Sequence, residues 1–269
     1  MSTNLQTSCV VTGGARGIGR GIAELMVARG HYVVIGDLDG RAADATAAEI
    51  GAVAGLAQDV RDPDSHRLVA EEAARHGVLT SWFNNAGVGD DGALADLSEE
   101  QVRRLVEVNL LGTTWGTRAA IAAFGSGGGD VVNIASLAGL GPVPGYSMYA
   151  ATKAAVVSLS TSVNAEAPRG VRVHALCPDG VDTAMLAAQD PSGLGSQLVH
   201  SGGPILEVSD VAAAAVALVG SRRVVRTVPT WRGGVVRGAA LAPGVMQHAA
   251  GLFAAQGRRA LARRARDGG

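Results

Sequence analysis

Short runs rich in Val, Ile and Leu alternate along the chain with longer segments whose apolar positions recur every three or four residues. The short runs, residues 5–12, 32–37, 53–58, 79–84, 130–135, 171–176 and 224–228, predict strands. The longer segments, residues 17–29, 41–50, 63–76, 98–123, 149–166 and 209–219, predict helices. Local chemistry supports these bounds. Pro63 suits a first helical turn, where its missing N–H is no loss. Ser98 followed by Glu99 and Glu100 marks a helix start, Pro168 stops the helix before it, and Ser209 is placed to cap the last helix. The strands are apolar throughout rather than alternating, so they belong in a parallel sheet covered by helices on both faces, an α/β three-layer arrangement. No internal repeat and no clean linker divides the chain. Residues 184–204 carry many Gly, Ser and Gln with poor periodicity, and predict a mobile loop or short helices. From Thr230 onward a Gly- and Arg-rich stretch leads into Ala-rich helical segments.

Composition narrows the class. The 269 residues are 47% hydrophobic and only 17% charged, which supplies a sizeable core and argues against extensive disorder. Two cysteines, Cys9 and Cys177, are too few for a disulfide framework or a metal cluster. Both sit in apolar runs and are expected as buried free thiols, which fits a reducing, cytoplasmic setting. Residues 1–6 are polar and lack the basic start and apolar stretch of a secretory signal. No uninterrupted apolar run reaches membrane-spanning length. The net charge of −1 hides an asymmetry: residues 221–269 carry ten Arg and one acid, a balance of +9, against −10 for the remainder. A solvated basic face, or one that meets the acidic remainder, accounts for this. Contact with nucleic acid or an anionic membrane is the alternative. The tail has few aromatics to stack on bases, so no nucleic-acid partner is expected.

Between the first strand and the first helix lies Thr12-Gly13-Gly14-Ala15-Arg16-Gly17-Ile18-Gly19. Glycines at Gly13, Gly17 and Gly19 allow a tight turn and close backbone approach to a pyrophosphate, and the following helix offers free N–H groups and a positive dipole end. Asp37 ends the second strand, 18 residues beyond Gly19. An acid here accepts hydrogen bonds from adenosine ribose hydroxyls and repels a 2′-phosphate, which favours NAD. The next residue is Leu38, not a base. Arg16 and Arg41 are placed to hold a phosphate, so NADP stays open, and a simple loop cap is the plainer role for Asp37.

Tyr149 and Lys153 stand four apart at the start of a helix and so share a face. The chain has 22 Arg but a single Lys, and only three Tyr. A phenol with an ordinary pKa of about 10 is too weak a base near neutrality. A cation about 4 Å away contributes on the order of 1 kcal/mol in bulk water but about 4 kcal/mol at an effective dielectric near 20, about three pKa units. Lys153 therefore activates Tyr149 only where water is partly excluded, with the positive ring of an oxidised nicotinamide assisting. Its compact ammonium can also donate to ribose hydroxyls. Ser136 ends the fifth strand, where substrates bind in such sheets, and its hydroxyl can hold a substrate oxygen beside Tyr149.

These residues resemble the short-chain dehydrogenase/reductase family over about residues 5–220. The matching motifs are Thr12 to Gly19, Asp59-Val60, Asn84-Asn85-Ala86-Gly87, Asn109, Ser136 and Tyr149-x-x-x-Lys153. The resemblance implies a doubly wound, Rossmann-type fold, with residues 1–229 as the dinucleotide-binding and catalytic domain and residues 230–269 as a helical extension packed on it or projecting from it. It implies a tetrad of Asn109, Ser136, Tyr149 and Lys153, with Asn109 holding a water that links Lys153 to bulk. Asp37, Leu38, Asp59, Val60, Asn85, Ala86, Gly87 and Val108 would lie along the adenosine half of the cofactor. Ile18, Pro178, Val181 and Thr183 would lie at the nicotinamide end. The implied reaction is NAD(H)-dependent interconversion of a secondary alcohol and a ketone on a small molecule, in a homodimer or homotetramer. An NADPH-dependent ketoreductase and a silent dinucleotide-binding scaffold are the rivals.

Substrate contacts are expected from Ser136, Leu137, Tyr146 and Asp179. The pocket draws on residues 137–146 and 184–204, mainly apolar and small, which suggests a lipophilic or cyclic alcohol. Two departures from the family pattern stand out. Asp179 follows Pro178 where Gly is usual, and is expected to face solvent, to meet a polar or cationic substrate, or to reshape the pocket. The Arg-rich extension replaces the family's short closing segment. It bears on tetramer formation, whereas helices 98–124 and 149–166 offer a dimer face. It is also placed to cover the substrate loop, or to meet a membrane or another acidic surface. His174 and His200 are expected to be structural, and Trp82 and Trp115 core or interface residues.

Overall fold

The computed structural model describes residues 6–241 and 243–267; most of the polar start, residues 1–5, lies outside them. The chain runs β1 (Thr7–Thr12), α1 (Gly17–Ala28), β2 (Tyr32–Asp37), α2 (Gly40–Ile50), β3 (Ala54–Ala57), α3 (Pro63–His76) and β4 (Val78–Asn84). It continues with α4 (Glu99–Leu105), a π-helical stretch (Val106–Gly112), α5 (Thr113–Phe124), β5 (Gly129–Ile134), α6 (Ser147–Glu166) and β6 (Val171–Pro178). Then come α7 (Ala184–Ala187), α8 (Leu194–Val199), α9 (Val208–Val216), β7 (Val225–Val228), α10 (Thr230–Ala240) and α11 (Pro243–Asp267).

The seven strands form one parallel sheet in the order β3-β2-β1-β4-β5-β6-β7. Strand residues are buried on both sides, as their unbroken apolar sequence requires. One core joins the sheet to α1 and α9 through Ile22, Met26, Val211 and Ala215. The other joins it to α3 and α5 through Val69, Ala73, Ala120 and Phe124. The chain is therefore the three-layer sheet that the hydrophobic pattern predicts, doubly wound as the family resemblance implies. Strand order reverses between β1 and β4, which opens a crevice at the strand carboxyl ends.

Several local expectations change. Residues 98–123 are not one regular helix: a π-helical stretch interrupts them around Asn109. A 3.6-residue pattern does not register one widened turn. The Ser98 start holds, but its capping box closes on Gln101, whose side chain accepts from Ser98 N while Ser98 Oγ accepts from Gln101 N. Ser209 is not a cap: α9 begins at Val208 with Glu207 in the cap position. Residues 184–204 fold as α7, α8 and a 3₁₀ turn at His200–Gly202, the short-helix alternative. Both cysteines are free and buried, which raises their thiol pKa values, that of Cys177 to about 12. His174 bridges Asp130 and the Arg223 carbonyl, and His200 bonds the Ser196 carbonyl, so both are structural. Trp82 is fully buried, whereas Trp115 lies under the Arg118 guanidinium. Among the described residues no helix is long and apolar enough to cross a membrane.

Candidate active site

A cleft of about 1520 Å³ follows the strand carboxyl ends. Its first half is built from the turn after β1. Gly13 has φ +62°, and a Cβ there would lie 2.8 Å from Ala86 Cα; a Cβ on Gly19 would strike the Gly13 carbonyl oxygen. Only glycine lets the loop fold this tightly against β4. Thr12 Oγ1 accepts from Asn85 N and Ala86 N at 3.1 Å, and Asn85 Nδ2 donates to the Thr12 and Gly13 carbonyls. Helix α1 starts without a side-chain cap and without an acid in its first turn. Its N–H groups and positive dipole end thus face the cleft at Gly17 and Ile18. This cradle fits a pyrophosphate. Asp37 Oδ2 accepts from Ala15 N at 3.1 Å, so the acid braces the glycine loop as well as lining the cleft. Arg16, Asp37, Leu38 and Arg41 also line an adjoining groove, with Leu38 exposed.

The second half holds the reactive side chains. Asp59, Val60, Asn85, Ala86, Gly87, Val108, Ser136, Tyr149, Lys153, Pro178, Val181 and Thr183 all line the same cleft. Ser136 lies close enough to Tyr149 to favour its ionised form. Ser136 Oγ also accepts from Ala138 N at 3.1 Å, which fixes the start of the turn Leu137–Leu140. Lys153 Nζ lies 5.8 Å from the Tyr149 ring centroid and donates to the Ile134 carbonyl at 2.9 Å. Burial pushes Lys153 down to about 8, and the same exclusion of water pushes Tyr149 above its ordinary value, against the lowering effect of Ser136. The pair is thus shielded from bulk water, the condition under which a nearby charge shifts a phenol.

Asn109 is fully buried in the π-helical stretch, but its amide does not turn to Lys153. Asn109 Oδ1 accepts from Val88 N at 2.9 Å, while Nδ2 donates to the Val88 carbonyl and to Thr152 Oγ1. Both N–H donors are used. The side chain thereby braces the loop after β4, where the Gly87 backbone sits beside both Asn109 Oδ1 and Lys153 Nζ.

At the substrate end, Leu137 and Tyr146 line the cleft with Ser136 and Asp179. The Tyr146 hydroxyl donates to Gln189 Oε1, and the Tyr146 and Tyr149 rings lie 5.9 Å apart. Asp179 does not face solvent: its Oδ2 lies 2.7 Å from Arg232 Nη1. Sequence reasoning offered the extension as a cover for the substrate loop but did not foresee which of its residues line the cleft. Trp231, Arg232, Val235, Val236 and Ala239 of α10 and Phe253 and Gln256 of α11 line the cleft. Helix α11 packs on α8 and the 200–202 turn, where Arg258 donates to Gln197 Oε1 at 3.0 Å. The extension covers the substrate loop, a contact between segments far apart in sequence that no local pattern records.

Comparison with known proteins agrees with this geometry. Residues 7–192 match the family model described as short chain dehydrogenase. The chain is 41% identical over 180 residues to sorbitol dehydrogenase of Cereibacter sphaeroides, covering 65% of this chain and 70% of that one. It is 37% identical over 220 residues to 2,5-dichloro-2,5-cyclohexadiene-1,4-diol dehydrogenase of Sphingobium indicum, covering 78% and 88%. The crystal structure of a short chain dehydrogenase/reductase from Burkholderia phymatum in complex with NAD superposes with a TM-score of 0.78 at 28% identity, covering 88% of this chain and 94% of that one. The chain belongs to the short-chain dehydrogenase/reductase family. It is an oxidoreductase of alcohol groups that works with a nicotinamide dinucleotide on small molecules.

Proposed function

We propose that this enzyme uses NAD(H) to interconvert a secondary alcohol and a ketone, with Tyr149, Ser136 and Lys153 at the reacting group. The carrying observation is Tyr149 beside the buried Lys153 and next to Ser136, in a cleft continuous with the glycine cradle. The Tyr149 hydroxyl takes the proton from the substrate oxygen during oxidation and returns it during reduction. Ser136 Oγ orients that oxygen. Lys153 favours the phenolate by its charge and donates to the cofactor ribose. The bound cofactor supplies the hydride acceptor or donor. Asn109 acts indirectly, by fixing Val88 and Thr152 around this group. Residues 1–229 carry the reaction, and residues 230–269 form an extension packed on them. The named relatives act on alcohols, which supports this reading. Tyr149→Phe should lower turnover by about 10³-fold while dinucleotide affinity stays within a few-fold. Near-normal turnover in that variant sinks the assignment.

Asp37 favours NAD, because its carboxylate stands where a 2′-phosphate would be repelled. Arg16 and Arg41 beside it support NADP as the second reading. Initial rates with each cofactor decide: kcat/KM is expected to be at least about tenfold higher with NAD, the equivalent of about 1.4 kcal/mol. The family is commonly oligomeric, and we assign the faces of α4–α5 and α6 to a homodimer contact, which light scattering of the purified chain would test.

A further inference from the structure

Asp179 and Arg232 pair at 2.7 Å with each side chain only 14% exposed. Three segments meet at this contact. Asp179 follows β6, Arg232 lies in the first turn of α10, and the guanidinium packs directly over Gly202, where any Cβ would collide with it. Helix α10 is also pressed against β7, since a Cβ on Gly233 would strike the Thr227 side chain. On its other side, a Cβ on Gly141 would lie 3.0 Å from Val236 Cγ1, so α10 closes on the turn that follows Ser136. Trp231 and Val235 line the cleft yet are 62% and 56% exposed, so their apolar surface is not used up in packing.

A largely buried ion pair is a weak stabiliser, because desolvation offsets much of its attraction. What it supplies is direction, since a carboxylate fixes where a guanidinium points. The pair also neutralises itself, so Asp179 brings no net charge to the cleft and the expectation of a cationic substrate falls away. The surrounding lining, with Leu137, Val143, Leu198, Val199, Val235 and Val236, is aliphatic. We infer that the Asp179–Arg232 pair is a clasp that seats α10 as the outer wall of the substrate chamber, and that this wall makes the enzyme select secondary alcohols bearing a bulky apolar group. The selectivity half rests on the dehydrogenase reading above; the clasp itself does not.

Two measurements separate the halves. Amide hydrogen exchange in residues 230–240 should be at least about tenfold faster in Asp179→Asn than in the parent. Unchanged exchange there overturns the clasp. For selectivity, kcat/KM for 1-cyclohexylethanol is divided by that for 2-propanol. Arg232→Met, which keeps the stem and loses the charge, should lower this ratio at least about tenfold. Val235→Trp, at an exposed position expected to tolerate the change, should also lower the ratio by narrowing the chamber, while α10 exchange stays as in the parent. A ratio within about twofold of the parent in both variants overturns the selectivity claim, whether or not overall activity falls. A parent protein inactive on both alcohols overturns the secondary-alcohol reading and the selectivity claim with it, and leaves the exchange result to judge the clasp.

Discussion

Lys153 is the only lysine in the chain, and the fold holds it where its charge is disfavoured. Burial moves its pKa from 10.5 to about 8. Between those values the unfolded chain keeps a proton that the folded chain has lost, so this group makes stability rise with pH across that window. Below about 8 both states are protonated and the burial cost is constant, about 3 kcal/mol. Tyr149 shifts upward and affects stability only above about 10. Without nucleotide, Lys153→Met should therefore melt higher than the parent at pH 7, with the gap narrowing by about pH 10. Paired thermal melts check this, and a gap independent of pH would contradict the buried-cation account. The same site shows what single residues reveal in sequence. The i, i+4 spacing alone puts Tyr149 and Lys153 on one helix face. Ser136 was legible only as a strand-end hydroxyl. Asn109 came from family resemblance, and its side-chain partners, Val88 and Thr152, follow from tertiary packing alone.

Among the elements, the glycine turn and α1 act as one unit. The strand, the turn and the helix were readable because each has a local signature: β-branched residues, glycines, then helical periodicity. The closeness of that turn to β4 was not. Gly19→Ala should force the Gly13 carbonyl and the Asn85 amide apart. Overpacking of this kind costs about 1–3 kcal/mol. Urea unfolding should show that loss, together with weaker dinucleotide binding by fluorescence titration; unchanged binding would mean the turn does not hold the pyrophosphate. A second unit escaped the sequence reading altogether. Trp82 Nε1 donates to Asn84 Oδ1, Asn84 Nδ2 donates to Asn133 Oδ1, and Asn133 Nδ2 donates to Ser160 Oγ. This buried chain ties β4, β5 and α6 beneath the catalytic residues. Polar side chains inside strands give no periodic signal, so nothing local predicts that they meet.

At the scale of the whole molecule, the charge asymmetry has a structural outlet. Arg226 donates to the Ala214 carbonyl, Arg232 pairs with Asp179, and Arg258 bonds Gln197. Part of the basic segment therefore folds back on the domain. Ala254 of α11 is buried against it, and Gly257 lies so close to Gln197 that a Cβ would strike its carbonyl. A chain ending after Leu241 should keep the exchange protection of β1, β4, β5 and β6, because among the described residues none of α11 belongs to the two main cores. Residues 194–202 should lose protection by at least about tenfold, since their cover is gone. Hydrogen exchange of the two chains checks this. Equal protection in that segment would show that α11 does not hold the substrate loop in solution.

By itself the sequence determined the layered parallel sheet, the glycine cradle and the Tyr149–Lys153 pair. All three arise from local rules: uninterrupted apolar strands, turn chemistry, and a spacing that places two side chains on one helix face. Tertiary structure decided the rest. It turned Asp179 from a loop acid into half of a buried ion pair, because its partner lies 53 positions away in a helix beyond β7. It spent the Asn109 amide on Val88, interrupted the long helix with a π-helical stretch, and brought the Arg-rich extension over the substrate loop. Contacts between distant segments depend on shape complementarity across the finished fold, and no window along the chain contains that shape.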